Sequence, residues 1–236
     1  MFRSNRPLWL VTAASTALLL LFGWSAAADQ DSVIHVPVGR APSIDGTIHE
    51  AEWDDAVQVP LRGGEGLFLK RAGAHLYVAI RGASGGIASV CLGTADRIRV
   101  LHASTALITA SYEWTDGSWR LVHGFRGPRQ ASGESFGRGE RLSDEYKSAQ
   151  LTQYGWTANV VEAGEATDME YQIELPSEVE LPQFVSVAFL QARARTRLAY
   201  APATLADASL DPDLIEGSAQ DGLEFDPSSW HEIRFE

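Results

Sequence analysis

Aromatic side chains carry the chemistry that stands out in this sequence. Trp114 and Trp119 flank Thr115-Asp116-Gly117-Ser118, Tyr112 stands two residues before Trp114, and Tyr154-Gly155-Trp156 follows later in the chain. An indole or phenol ring is rigid and amphipathic, and it presents a flat face to the C–H surface of a sugar at little cost in entropy. Trp156, Trp114, Trp119, Tyr154 and Tyr112 are therefore the candidate ligand-binding residues, with a carbohydrate as the ligand. The hairpin that holds three of them also needs one buried face. Its aromatic face is thus either a core face or a binding platform, and the sequence leaves both open. Trp156 is less constrained, being flanked by Gly155 and close to a long loop.

Catalytic arrangements are weaker. Gly-x-Ser-x-Gly occurs at residues 82–86 around Ser84 and at residues 133–137 around Ser135. A nucleophile elbow needs a strand before it and a helix directly after; Ser84 is followed by the β-rich residues 87–92, and Ser135 lies in an aperiodic loop. Glycosidase chemistry needs two facing carboxylates, and no pair is singled out by its surroundings. The chain reads as a non-enzyme. Calcium is a possible cofactor, since the acidic residues Asp207, Asp211, Asp213, Glu216, Asp221, Glu224 and Asp226, or Asp45 and Glu50, supply oxygen ligands, but their spacing is not that of an EF-hand loop. Cys91 is the only cysteine, which excludes an intramolecular disulfide and suits a buried thiol.

The elements that must position these residues are mostly short strands. Residues 74–81 alternate, with Leu76, Val78 and Ile80 on one face and His75, Tyr77 and Arg81 on the other. Residues 87–92 are apolar on both faces, and residues 96–102 place Ile98 and Val100 inward and Arg97 and Arg99 outward. Asp116-Gly117 predicts a two-residue type I′ turn that pairs Thr115 with Ser118, Trp114 with Trp119, Glu113 with Arg120 and Tyr112 with Leu121. His123 and Phe125 then fall on the aromatic face, opposite Ser111, Glu113, Arg120 and Val122. Residues 127–150 read as a long loop, and residues 154–160 restart the sheet. Residues 169–175 put Tyr171, Ile173 and Leu175 inward, residues 184–192 form a central strand with residues 195–200 as its partner, and residues 230–235 close the sheet. Only residues 43–56 predict a helix, opening at Thr47 after an Asp45-Gly46 turn, with Glu50 as a capping-box partner and Trp53 as the apolar anchor of a lid. The fold class is all-β, an antiparallel β-sandwich with one short N-terminal lid helix.

Residues 1–28 read as a secretion signal, with Arg3 and Arg6, an uncharged apolar stretch over residues 8–24, and Ala26-Ala27-Ala28 as the cleavage site. Cleavage after Ala28 leaves a single domain, residues 29–236, that is not transmembrane and is secreted or periplasmic. That domain keeps 17 of the 19 basic residues against all 31 acidic ones, a net charge of −14 with histidines neutral. Such acidity excludes nucleic acid as a partner class and suits neutral or cationic ligands.

Ile44-Asp45-Gly46, Glu50, Glu52-Trp53 and Ala56, a following strand, and His75-Leu76-Tyr77-Val78-Ala79-Ile80 resemble the opening of family 9 carbohydrate-binding modules, which belong to the wider DOMON-like β-sandwiches. Ile173-Glu174-Leu175-Pro176-Ser177 resembles a second recurring feature of that family. The resemblance implies a non-catalytic domain that binds a sugar or polysaccharide, alone or with a partner enzyme or envelope protein. Some DOMON-like relatives carry haem b with a methionine axial ligand. That alternative, an electron-transfer domain, points to Met169 with His75, His102 or His123. A ligandless envelope interaction module is the third reading.

Overall fold

The apolar runs become strands in the computed structural model, which describes residues 33–61, 66–83, 85–104, 106–126, 143–163, 166–176, 181–191, 196–201 and 225–236. In chain order these hold β1 (Val33–Val36), α1 (Glu50–Trp53), β2 (Val57–Val59), β3 (Gly66–Ala72), β4 (His75–Ala83), β5 (Gly86–Gly93), β6 (Arg97–Ala103), β7 (Leu107–Thr115) and β8 (Ser118–Arg126). There follow α2 (Asp144–Tyr154), β9 (Trp156–Ala163), β10 (Ala166–Glu174), β11 (Phe184–Gln191), β12 (Thr196–Ala201) and β13 (His231–Phe235). The larger sheet runs β1-β13-β11-β5-β6-β7-β8, with β12 also on β11, and the smaller runs β2-β3-β4-β10-β9. The protein is an all-β sandwich, and its ladders are antiparallel except where β1 lies parallel to β13. Residues 1–28, Ser84, Ser135 and the acidic positions from Asp207 to Glu224 lie outside the described residues, so the expectations made for them do too.

Alternation settles which residues fill the space between the sheets. Leu76, Val78 and Ile80 of β4 and Met169, Tyr171 and Ile173 of β10 meet Val90, Leu101 and Val187 of the larger sheet in one buried cluster. A second cluster coats the other face of the larger sheet, where Ile98, Val100, Cys91, Tyr112 and Trp119 pack with Phe225 and Trp230. The expected polarity of β6 is corrected by this second layer. Ile98 and Val100 are buried beneath this layer on the outer side of the sheet, and Arg97 and Arg99 share the side of Leu101 and Ala103.

The hairpin turn forms as expected, with Asp116 at φ 54° and Gly117 at φ 78°. All four expected cross-strand pairs are present, but the register shifts between Ser111 and Tyr112, so Tyr112 pairs Leu121 while Ser111 pairs His123. Val122 is the extra residue of a bulge, and His123 therefore joins the face of Ser111 and Glu113 instead of the aromatic face.

The second correction is α2: residues 143–150, which the sequence assigns to the long loop, supply the cap and first seven residues of a helix. Ser143 caps it by accepting from the Tyr146 N–H, Asp144 and Glu145 occupy its first turn, and Gly155 ends it at φ 67°. Those are ordinary start and stop signals, hidden by a helix whose apolar face is weak.

The lid is held by charge as well as by burial. Ile44, Ile48 and Trp53 cover Tyr77 and Ala79 on the outer face of the smaller sheet. Glu170 of β10, fully buried, accepts from the N–H groups of Asp45 at 3.0 Å and Gly46 at 2.8 Å and from Trp53 Nε1 at 2.9 Å. Asp168 accepts from the Ile48 N–H at 3.0 Å and takes both Arg81 Nε and Nη2 at 2.7 Å, while Arg81 Nη2 also donates to the Ile48 carbonyl at 3.0 Å. The expected capping box does not form. Helix α1 is a single turn capped by His49 with no side-chain bond, and Asp45 Oδ1 instead accepts from the Thr47 N–H at 2.9 Å. Only glycine fits at position 46, where φ is 83° and a Cβ would stand 2.6 Å from Val161 Cγ2.

Burial pushes the Glu170 carboxyl up to about 7 from an ordinary value of 4.5; the three N–H donors oppose that rise and the Asp45 charge adds to it. A carboxyl that holds its proton more tightly when folded contributes stability that is complete below about pH 4.5 and is lost as the pH climbs through about 7. Relative to Glu170→Gln, the unfolding free energy of the native protein is expected to fall by about 3 kcal/mol between about pH 4.5 and about pH 8. Urea denaturation across that range checks it. A pH-independent difference between the two proteins would show that the three donors offset burial and leave the Glu170 carboxyl at its ordinary value.

Candidate functional site

A groove forms where the two sheets part company. Strand β9, the edge of the smaller sheet, lies against β6 and α2, and the larger sheet continues past it through β7 and β8. The overhanging inner face of β6, β7 and β8 is the floor of an open cavity of about 1200 Å³. Its walls come from Thr94 to Asp96, from Gln153 to Gly155 at the end of α2, from Glu174 to Pro176, and from Leu181 to Gln183.

The floor is polar because no second sheet covers it. Arg97, Arg99, Thr109, Ser111, Glu113 and His123 line it, together with Val122, which the bulge leaves exposed. Arg97 Nε stands 3.7 Å from Glu113 Oε1. Arg99 Nη2 donates to the Tyr154 carbonyl at 3.1 Å, tying the floor to the end of α2. Burial holds the Arg99 guanidinium below its ordinary range, and the Glu174 carboxylate partly restores it. Glu174 Oε2 and Arg99 Nη2 converge on Gly155, at 3.5 and 3.9 Å from the point where a Cβ would stand. Apolar contact is supplied by the half-buried Tyr154, by Leu181 and by Pro176. The cavity can thus offer hydrogen-bond donors and acceptors over its floor and apolar surface along one wall, which suits a polyhydroxylated ligand better than a purely apolar one.

The five aromatic candidates do not come together. Trp156 is 1% exposed, lies 6.0 Å from the Tyr171 ring and nearly parallel to it, and donates its Nε1–H to Thr109 Oγ1 at 2.7 Å. Trp119 is buried with its Nε1–H on the Phe225 carbonyl at 3.0 Å, and Tyr112 packs 4.8 Å from the Phe225 ring. The reading of Trp156, Trp119 and Tyr112 as ligand platforms is corrected: their faces are covered, because Phe225 and Trp230 pack over the outer face of the larger sheet at Trp119 and Tyr112, and Trp156 opens a strand that faces the core. Trp114 is 48% exposed near the tip of the hairpin, edge-on to Trp119 and outside the groove. Of the five, Tyr112 and Tyr154 border the groove; Tyr112 is 1% exposed, so only the half-buried Tyr154 offers surface there, as the last residue of α2 and not as part of a strand.

Sequence reasoning missed Arg97, Arg99 and Glu113 as site residues and named His123 only as a haem-ligand candidate. The available signal was the pair of arginines alternating within an apolar strand, Arg97-Ile98-Arg99-Val100, which reads equally well as a solvated face. The haem expectation is not assembled either. Met169 lies in the core between the sheets, His102 bonds Ser89 at 3.1 Å on the far side of the larger sheet, His75 lies beside Tyr77 on the lid side, and His123 is in the groove. Among the described residues, no three His, Cys, Asp or Glu side chains are placed to hold a metal ion, and no helix is long and apolar enough to cross a membrane.

No protein-family model matches the chain, and no curated protein matches it. Among solved structures, the chain is similar to a carbohydrate binding module family 9 (CBM9) from Caldicellulosiruptor kristjanssonii in complex with cellotriose, at 13% identity over 86% of this chain and 93% of that one, with a TM-score of 0.41.

Proposed function

We propose that the groove binds a carbohydrate and that the domain is a non-catalytic sugar-binding module working outside the cytoplasm, alone or beside a partner enzyme or envelope protein. The observation that carries this reading is the combination, in one open groove, of charged and neutral hydrogen-bonding side chains on the floor with Tyr154 on the wall. A sugar ring presents that same alternation of hydroxyls and C–H surface. The likeness of residues 1–28 to a secretion signal supports the location. The sequence resemblance to family 9 modules supports the reading through the fold, since Asp45, Gly46 and Trp53 hold the lid and not the groove.

Isothermal titration against a panel of soluble oligosaccharides tests it. Tyr154→Ala is expected to weaken binding about tenfold, in line with the loss of one aromatic contact and its packing. Trp114→Ala is expected to leave affinity unchanged. The opposite pattern, with Trp114→Ala weakening binding and Tyr154→Ala neutral, would move the platform to the hairpin tip.

A further inference from the structure

The charges of the groove are arranged as opposed pairs. Arg97 faces Glu113 at 3.7 Å, and Arg99 shares the Gly155 corner with Glu174. The remaining charged group on the lining is Asp96, whose Oδ1 accepts from Thr94 Oγ1 at 2.9 Å, and His123 is the other titratable one besides Tyr112 and Tyr154. Three carboxylates against two guanidinium groups leave the lining with one net negative charge when His123 is neutral. The whole chain is also acidic, with a formal charge of −12.

Resting on the carbohydrate reading, we infer that this groove selects uncharged glycans and rejects their uronic-acid counterparts, with the Arg97–Glu113 and Arg99–Glu174 pairs as the specificity determinants. A guanidinium beside a carboxylate offers a donor and an acceptor a few ångströms apart, which matches two neighbouring hydroxyls of a sugar, each accepting from one and donating to the other. A uronate carboxylate entering the same place has to displace Glu113 or Glu174 from its arginine or lie against them as a like charge. Neither happens with a hydroxymethyl group. Glu174 matters most, because Arg99 is largely buried and already committed to the Tyr154 carbonyl, so its charge is balanced from within the protein.

The test compares glucose, galactose and mannose trimers with the same trimers oxidised to carboxylates at C6, by titration at low and at high salt. A neutral trimer is expected to bind at least about tenfold more tightly than its oxidised form, with the gap narrowing as salt screens the repulsion. The double variant Glu113→Gln/Glu174→Gln turns the net charge of the lining positive and is expected to reverse the preference toward the oxidised trimer. Equal affinity of the native protein for both forms, or an unchanged preference in a folded double variant, overturns the inference while leaving sugar binding intact. If none of the six trimers binds, the carbohydrate reading fails and this inference with it.

Discussion

Gly86→Ala is expected to destabilise the protein by at least about 3 kcal/mol, enough to lower the melting temperature by roughly 10 °C in a domain of this size. A Cβ at position 86 would stand 1.8 Å from Phe189 Cζ, and one at position 82 would stand 2.6 Å from the same atom. Phe189 is fully buried, with its ring seated against the backbone of both glycines, so it has nowhere to retreat. Gly85→Ala supplies the contrast. Nothing lies within 4 Å of that position, and only its φ of +74° opposes a side chain, so the cost there is expected to be about 1 kcal/mol. If steric conflict is the cause, Phe189→Leu in the Gly86→Ala background recovers part of the loss; thermal denaturation of the four proteins decides. The same geometry accounts for the outer glycines of the Gly-x-Ser-x-Gly sequence around Ser84. They make room for a phenylalanine, which is a packing reason for a pattern that elsewhere signals a nucleophile.

Arg81→Leu is expected to cost about 4 kcal/mol, because it strands the Asp168 carboxylate beneath the lid with one backbone N–H in place of three donors. Asp168 is 3% exposed in its side chain and Arg81 34%, so the arginine of this pair tolerates losing its partner better than the aspartate does. Arg81→Leu/Asp168→Leu removes both charges and is expected to regain most of the loss, giving a coupling energy of at least about 2 kcal/mol in a double-mutant cycle. Denaturant titration of the three variants measures it. Additive losses would mean that Asp168 is held by the Ile48 N–H and solvent alone.

Alternation made the sandwich legible: β4, β5 and β10 and the β7–β8 hairpin stand where the pattern places them, because one face of each must be apolar. The groove was not legible, for physical reasons that differ from residue to residue. Tryptophan is equally suited to a core and to a sugar platform, and only the second cluster on the larger sheet, with Phe225 and Trp230, shows that Trp119 and Tyr112 are enclosed. A bulge leaves no trace in the alternation of a short strand, so His123 changed faces unannounced. Arg99 alternates with isoleucine and valine as a solvent-facing residue would; what makes it part of a site is that the smaller sheet stops before covering it. Helix α2 carried caps but little periodicity, and the strand expected over residues 154–160 opens at Trp156, Tyr154 being the last residue of the helix.

The parallel pairing of β1 with β13 constrains how this protein comes into being. Ile34 is matched with Ile233 across that ladder, so a segment that leaves the ribosome early waits for nearly two hundred further residues before its partner is synthesised. Until then the end of β11 that receives His231 and Glu232 remains an open edge. Closure is therefore a late, non-local step, of the kind that folds slowly and leaves a strand edge available to holdase chaperones in the meantime.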